Sequence, residues 1–333
     1  MSQHALFGGF EQVTGSRPEL AAPFPYAGGK SRVAASIWRA LGQPRTYIEP
    51  FAGSLAVLLG RPNPSGIEIV NDAEGLVANF WRAVKLDPDA VAEAADWPKF
   101  AVDLHARGAA LMAARADLVE RLEGNPDFYD AKLAGWWAWG VSCSISTFPA
   151  PGPWVSVDGR LVKGATGEGV TRQRPHIGGK GIKREKPRLG VSGLVRTSMS
   201  AADIRDWMQA LADRLATTTV LCGDWSAAVT PVMRTATPTA VFLDPPYGGA
   251  DRDASLYITD STTIAAPARQ WAINHGEDDG LRIVVAGYDT EEPAMPDSWH
   301  VLKWSAGSSS RGSGRNDVNR HRERLWLSPG CDF

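Results

Sequence analysis

The sequence contains no long hydrophobic run, although it is 333 residues long. No stretch approaches the roughly 18 uninterrupted apolar residues of a membrane helix. The N-terminal segment MSQHALFGGFEQ also lacks the basic and then apolar pattern of a signal peptide. We therefore expect a cytoplasmic protein without a membrane partner.

Cysteine is scarce, and its spacing excludes two common architectures. Cys143, Cys222 and Cys331 are far apart and form no CxxC pair. Neither a disulfide framework nor a zinc site is indicated, so we expect three reduced, structural cysteines and no metal. The 44% hydrophobic content is sufficient for a sizeable core, which argues against a disordered chain.

A net charge of −2 conceals an uneven distribution. Residues 160–196 contain ten basic and two acidic residues, which gives this segment +8 and the remainder −10. A basic segment in an otherwise acidic protein is typical of a nucleic-acid contact surface, because each neutralised phosphate releases counterions. A solvated basic loop that binds nothing is the alternative.

A phosphate-binding P-loop is also absent. Gly29-Lys30-Ser31 matches the end of GxxxxGK[ST], but the first glycine of that pattern is replaced by Phe24. No predicted strand precedes the segment either. A nucleotide-triphosphate site is therefore excluded here.

Apolar runs that alternate between strand and helix patterns predict an α/β fold. Strands are expected at 46–50, 66–70, 218–222, 240–243, 281–286, 299–304 and 322–327, and helices at 55–60, 74–85, 200–215 and 262–275. The βαβα opening implies a parallel sheet whose ligands bind at the carboxyl ends of the strands.

A long insertion interrupts this alternation. Residues 87–140 are Ala-rich and predict a small helical bundle, and Asp158-Gly159 predicts a hairpin turn in the Gly-rich, Pro-rich and basic segment that follows. Trp136, Trp137 and Trp139 indicate either core packing or a base-stacking platform. We predict a tail at 1–22, a catalytic domain at 23–86 and 200–328, and an inserted target-recognition region at 87–199.

The motif Asp244-Pro245-Pro246-Tyr247 follows the apolar run 240–243 and is placed at a strand end. The Asp244 carboxylate and the Pro245 carbonyl can each accept one N–H of an amino group. Pro246 helps to fix the backbone, and Tyr247 can stack on an aromatic base. The set fits methylation of an amino group conjugated to a base. A proline turn that merely caps the strand is the alternative.

With these motifs in order, the chain resembles the Dam-like, alpha-group DNA adenine methyltransferases from about residue 23 to 328. Similar segments are PFPYAGGKS at 23–31, EPFAGS at 49–54, Asn71-Asp72 with Asn79-Phe80-Trp81, the 244–247 motif, Gly287-Tyr288-Asp289-Thr290, and 308–315 with Glu323-Arg324-Leu325. The resemblance implies a Rossmann-like methyltransferase sheet with helices on both faces. It also implies the cofactor S-adenosylmethionine and the N6 amino group of adenine in double-stranded DNA as the target.

The resemblance implies a set of cofactor-binding residues: Tyr26, Gly28, Gly29, Lys30, Glu49, Pro50, Phe51, Gly53, Asp72, Asp224, Trp225 and Asp244. In this set Asp72 is suited to accept from ribose hydroxyls, and Lys30 can hold the cofactor carboxylate. Asp224 can accept from the cofactor's adenine or cap a helix before Ser226. One position departs from the family pattern, since many relatives have glycine where this chain has Leu55.

DNA binding is predicted for eight basic residues: Arg172, Arg174, Lys180, Lys183, Arg184, Arg188, Arg311 and Arg315. The target adenine is expected to turn out of the duplex into the pocket at Asp244. No obligate protein partner is evident. Methylation of the cytosine N4 amino group and a catalytically silent DNA-binding regulator remain alternatives. Methylation of RNA or of protein glutamine usually goes with Asn at the position of Asp244.

Overall fold

The computed structural model describes residues 20–26, 28–144, 148–149, 154–157, 160–163, 201–230, 238–246, 264–291, 293–304 and 322–332. The helices are α1 (Ala34–Leu41), α2 (Ala56–Leu59), α3 (Gly75–Leu86), α4 (Pro88–Ala95), α5 (Ala101–Gly124), α6 (Ala131–Cys143), α7 (Ala201–Leu215), α8 (Trp225–Val229) and α9 (Ala265–His275). The strands are β1 (Thr46–Glu49), β2 (Ile67–Asp72), β3 (Trp154–Val157), β4 (Arg160–Lys163), β5 (Thr218–Cys222), β6 (Thr239–Leu243), β7 (Leu281–Tyr288), β8 (His300–Lys303) and β9 (Glu323–Leu327).

Seven strands form one mixed sheet in the order β5-β2-β1-β6-β7-β9-β8. The first five strands are parallel, as expected from the βαβα opening. Strand β9 is antiparallel to both β7 and β8, so the last two strands close the sheet with an antiparallel edge. The α/β fold is confirmed and is consistent with a Rossmann-like methyltransferase.

Helices cover both faces of the sheet, because successive side chains of a strand point to opposite faces. In β6, Ala240 and Phe242 belong to the larger buried cluster with residues of α1 to α7. Val241 and Leu243 belong to the smaller cluster, which contains residues of α8 and α9. Near-continuous burial of β6 explains why its sequence is apolar rather than alternating.

Strand order reverses between β1 and β6. From β1 the chain moves outward to β2 and then β5, and it returns to the other side of β1 as β6. At such a reversal the two loops that follow neighbouring strands diverge and leave a crevice for a ligand. The loop at 50–55 and the Asp244 motif therefore lie side by side.

The inserted helices share a core with the sheet domain. Phe24 packs against Phe80 and Trp81 of α3 and against Trp137 of α6, with ring centroids 4.7 to 5.8 Å away. Trp137 and Trp139 are buried, so the core-packing interpretation is confirmed for both. Packing of Phe24 also anchors the segment that leads to Lys30.

The hairpin expected around Asp158-Gly159 is present as the antiparallel pair β3–β4, although its two turn residues lie outside the described residues. Strand β7 continues to Tyr288, two residues beyond the expected end, because Tyr288 pairs with Glu323 of β9. None of the helices in the described ranges is both long and apolar enough to cross a bilayer.

Candidate active site

The glycine loop at 50–55 is tightly folded over the end of β2. The Ala52 amide donates to the Asn71 carbonyl at 2.8 Å, and the Leu55 amide donates to the Ala52 carbonyl at 2.7 Å. Gly53 has φ +47°, and a Cβ there would lie 2.7 Å from Cε1 of Tyr26. The left-handed backbone and the nearby Tyr26 ring both require glycine at position 53, and Tyr26 packs directly against the loop.

Leu55 also has a left-handed backbone, with φ +52°. This is the position where many members of the resembled family have glycine. A left-handed conformation costs a non-glycine residue roughly 1–2 kcal/mol. The Leu55 side chain is fully buried in the larger core cluster, which offsets that cost. The departure in sequence therefore preserves a glycine-like loop shape and adds a hydrophobic anchor.

Asp72, the last residue of β2, supports the loop because its carboxyl oxygens accept backbone hydrogen bonds. Its Oδ2 accepts from the Gly53 amide and its Oδ1 accepts from the Glu74 amide, both at 2.8 Å. Burial raises the pKa of Asp72 to about 6, although the two amide hydrogen bonds oppose the shift. The carboxylate is thus placed beside the loop where a bound ribose would be expected.

Asn71 joins the ends of three strands. Its side-chain amide donates to the Pro50 carbonyl at 3.1 Å and to the Gly223 carbonyl at 3.0 Å. The loops after β1, β2 and β5 are therefore tied together at the carboxyl edge of the sheet. This rigid edge is the scaffold for the site.

Lys30 and Asp244 form the central ion pair of the site. The Lys30 ammonium donates to Asp244 Oδ2 at 2.7 Å and to the Gly28 carbonyl at 2.8 Å. It also lies 5.7 Å from the ring centre of Trp304, within cation–π range. Lys30 is 3% exposed, whereas Asp244 retains 20%. The pair connects the predicted cofactor segment to the predicted catalytic motif.

Glu49 lies under the loop rather than at its surface. Its Oε2 accepts from the Tyr47 hydroxyl at 2.9 Å and from the Leu58 amide at 3.2 Å. Burial raises the pKa of Glu49 to about 8, and the nearby Asp244 charge raises it further. In this structure Glu49 therefore supports the start of α2, and its predicted cofactor contact stays a prediction.

Two aromatic residues mark the β5 side of the crevice. The rings of Phe51 and Trp225 stack with centroids 6.0 Å apart and planes inclined by 26°. Asp224 is the N-cap of α8, and its Oδ1 accepts from the Ser226 amide at 2.8 Å. The capping alternative is thus present in the structure, and the exposed carboxylate keeps free acceptor capacity for a ligand.

Several predicted site residues cannot be placed. Tyr247 lies outside the described residues, as do the eight basic residues predicted to bind DNA: Arg172, Arg174, Lys180, Lys183, Arg184, Arg188, Arg311 and Arg315. Pro245 is buried and Pro246 half-buried directly after β6, as expected for a stiff strand end.

Glu323 and Trp304 also lie at this edge of the sheet, a position that the sequence analysis did not predict. Glu323 begins β9 opposite Tyr288, and Trp304 follows β8 at the same edge of the sheet. The available signal was an acidic residue at the start of an otherwise apolar strand, ERLWL. This acidic residue lies near the site only because β9 is antiparallel to β7, which places the first residue of β9 at the carboxyl edge of the parallel strands.

The seven-stranded α/β fold is consistent with a Rossmann-like methyltransferase. Residues 26–105 match the family model of the D12 class N6 adenine-specific DNA methyltransferases. Over this range the chain is similar to an adenine N6 methyltransferase family, which supports adenine-specific DNA methylation. The family implies a methyl donor and a DNA substrate, and the cytosine and regulator alternatives are not favoured.

The matched range contains Tyr26, Lys30, the glycine loop and Asp72, whereas Asp244 lies beyond it. Comparison with curated proteins finds no match.

Proposed function

We propose that the protein transfers a methyl group from S-adenosylmethionine to the N6 amino group of an adenine turned out of duplex DNA, in the manner of the Dam-like subgroup. The observation that carries this proposal is the placement of Asp244 at the strand reversal, next to the Lys30 segment and the glycine loop. Donor and acceptor sites then meet at one edge of the sheet.

The residues around the crevice fit the parts of S-adenosylmethionine. The left-handed glycine loop and Gly29 let a ligand approach the backbone, and Asp72 offers carboxylate oxygens to two ribose hydroxyls. The cofactor's adenine is proposed to contact Phe51, Trp225 and Asp224, and its carboxylate is proposed to bind the Lys30 ammonium. When bound, the cofactor supplies a methyl carbon on a sulfonium, whose carbon–sulfur bond breaks with the electron pair left on sulfur.

The acceptor amine is held by Asp244 and the Pro245 carbonyl, which each accept one N–H. The nitrogen lone pair is thereby drawn out of conjugation and toward the methyl carbon. As the new bond forms, the nitrogen becomes positively charged, and the Asp244 carboxylate stabilises it. Asp244 then accepts the surplus proton and passes it to water. Tyr247 stacks on the turned-out base in this proposal.

The inserted region at 87–199 is proposed to grip the DNA, with Arg172, Arg174, Lys180, Lys183, Arg184 and Arg188 on phosphates. Arg311 and Arg315 are proposed to contact phosphates as well. The domain limits at 86/87 and 199/200 belong to the same proposal. A cytoplasmic location is consistent with this substrate.

Transfer of labelled methyl from S-adenosylmethionine to duplex DNA, followed by digestion to nucleosides, tests the proposal. We expect N6-methyladenine as the labelled product. The Asp244→Ala variant is expected to lose incorporation while it still binds the cofactor in a calorimetric titration. Asp278→Ala is the matched control, because this exposed acid precedes β7 at the opposite edge of the sheet. Near-normal turnover by Asp244→Ala refutes the assignment, and labelled N4-methylcytosine refutes the target.

A further inference from the structure

One face of helix α5 lies along the carboxyl edge of the sheet. Arg115, Val119 and Glu123 are spaced four residues apart in this helix, so they share one side of it. A Cβ on Gly75, the first residue of α3, would lie 2.5 Å from Cγ2 of Val119, and one on Gly223 would lie 3.2 Å from Oε1 of Glu123. The helix therefore passes the ends of β2 and β5, where the methyl donor is proposed to bind.

Arg115 is the residue of this face that contacts the segment after β2. Its Nε donates to Glu74 Oε1 at 3.2 Å, and its Nη2 donates to Glu74 Oε2. Two N–H groups on two carboxylate oxygens fix the orientation of the carboxylate as well as its charge. The side chains of Arg115 and Glu74 are 22% and 18% exposed, so solvent screens this ion pair only in part.

Glu74 is joined in turn to the proposed ribose carboxylate. The Glu74 amide donates to Asp72 Oδ1 at 2.8 Å, and Asp72 Oδ2 accepts from the Gly53 amide at 2.8 Å. The Glu74 carboxylate also caps α3, because it accepts from the Leu76 amide. A continuous chain of hydrogen bonds therefore leads from Arg115 on α5, through Glu74 and Asp72, to the glycine loop.

The charge of Glu74 opposes the ionised form of Asp72. Burial is the main cause of the raised pKa of Asp72, and the Glu74 carboxylate raises it further. Cys222 pairs with Asp72 across the β2–β5 ladder, and burial raises the pKa of this thiol to about 12, so it is uncharged at neutral pH. Beyond the thiol, Glu123 and Arg82 act on its pKa with opposite signs. Among these groups, Glu74 is the one whose charge raises the pKa of Asp72.

We propose that Arg115 is a positioning residue for the methyl donor, which holds and neutralises the Glu74 carboxylate and thereby keeps Asp72 available to the donor ribose. This inference rests on the proposed function, because the ribose contact of Asp72 belongs to it. Arg115 itself touches no part of the donor in this proposal. The inserted region, which is proposed to grip the DNA, then also contributes to donor binding.

The direction of the pH dependence follows from the charges. Without the Arg115 guanidinium, the Glu74 carboxylate acts on Asp72 at full strength, so the pKa of Asp72 rises above its present value of about 6. A protonated Asp72 offers fewer acceptor sites to ribose hydroxyls, so donor affinity should begin to fall at a higher pH. We expect this pH to increase by roughly one unit for the loss of one nearby charge.

The test is the dissociation constant of S-adenosylmethionine, measured by calorimetric titration of the wild type and Arg115→Met from about pH 5 to about pH 8. The ratio of the variant's constant to the wild-type constant should approach tenfold at about pH 5 and one at about pH 8. A purely structural role of Arg115 would instead weaken binding by the same factor at every pH. Arg115→Lys keeps the charge and should stay near the wild-type profile.

Two further variants locate the effect. Arg121→Met, an equal charge change at an exposed residue of the same helix, should retain the wild-type profile. In Glu74→Gln the charge that opposes ionisation of Asp72 is gone, so donor binding should weaken only at a lower pH than in the wild type. Adding Arg115→Met to Glu74→Gln should then change the profile little, because the two residues act through one another.

Carbon-13 NMR of the aspartate carboxyl groups provides a readout without donor. The signal that is absent from Asp72→Asn identifies Asp72, and it should titrate at a higher pH in Arg115→Met and at a lower pH in Glu74→Gln. An unchanged titration of Asp72 overturns the proposal, and Glu74→Gln alone decides this if Arg115→Met does not fold. A ratio of dissociation constants that is equal at every pH also overturns it. Failure of the wild type to bind S-adenosylmethionine at any pH contradicts the proposed function instead.

Discussion

Lys30 and Asp244 are 214 positions apart in sequence, yet the Lys30 ammonium lies 2.7 Å from Asp244 Oδ2. Lys30 is positioned by the segment that Phe24 anchors, and Asp244 by the end of β6. The residue expected to hold the methyl donor and the residue expected to hold the methyl acceptor are therefore bonded to each other in the free protein. Substrate binding must compete with this pair.

The first prediction concerns the stability that this pair provides. Asp244→Ala is expected to lower the free energy of unfolding by about 1–3 kcal/mol, because it removes the carboxylate that pairs with a nearly inaccessible ammonium. Lys30→Met should cost less, since Asp244 remains 20% exposed and can be hydrated. Urea unfolding of both variants measures the difference.

The double variant Lys30→Met with Asp244→Ala provides the control for this prediction. If the ion pair is the source of the loss, the double variant should be clearly more stable than the sum of the two single losses implies. Strictly additive losses contradict a direct coupling. Asp244→Ala should in every case remain folded, so its expected loss of methyl transfer is separable from unfolding.

The sequence was sufficient to predict the parallel strands and the crevice, because β1, β2 and β6 are apolar runs that end in polar turns. It was not sufficient to predict the Lys30–Asp244 pair or the place of Glu323. Both depend on which strands become neighbours, and the antiparallel direction of β9 has no local signature. Contacts of this kind are decided by the assembled sheet rather than by any short segment.

The position of Glu49 follows in part from the alternation of side chains along β1. Tyr47 and Glu49 are two residues apart in β1, so their side chains point to the same face of the sheet. The buried Tyr47 hydroxyl donates to Glu49, and this contact holds the carboxyl under the glycine loop. Strand alternation alone therefore predicts that Tyr47 and Glu49 share a face, whereas the cofactor contact of Glu49 stays a prediction.

The second prediction concerns the left-handed backbone of Leu55. Replacing this buried side chain by Ala or Gly should destabilise the protein by about 2–5 kcal/mol. The relative stability of the two variants tests whether the backbone at Leu55 is strained. Gly is expected to be more stable than Ala here by about 1 kcal/mol, because only glycine adopts φ +52° without strain.

Leu58 is the matched control for Leu55. It is equally buried but lies within α2, where the backbone is helical. At Leu58 the order should be reversed, with Ala more stable than Gly by about 0.5–1 kcal/mol. Thermal or urea unfolding of the four variants measures both differences. The same order at both positions contradicts a strained loop at Leu55.

The third prediction concerns the pH dependence of donor binding through Asp72. Its folded-state pKa of about 6 is raised from the usual 3.8, chiefly by burial. Below about pH 6 the carboxyl takes up a proton and becomes a poorer acceptor for ribose hydroxyls. The dissociation constant of S-adenosylmethionine is therefore expected to increase up to tenfold for each pH unit below that value, which calorimetric titration measures.

The contribution of Asp72 to the free energy of unfolding, measured without donor, should change with pH in the direction opposite to the donor affinity. Because the folded-state pKa of Asp72 is raised, its favourable contribution is complete below about 3.8 and is lost as the pH rises to about 6. Melting with and without donor consequently separates the two effects. Asp72→Asn is expected to bind the donor weakly at all pH values, without the increase below about pH 6. A wild-type dissociation constant that stays constant from about pH 5 to about pH 8 contradicts a ribose contact by Asp72.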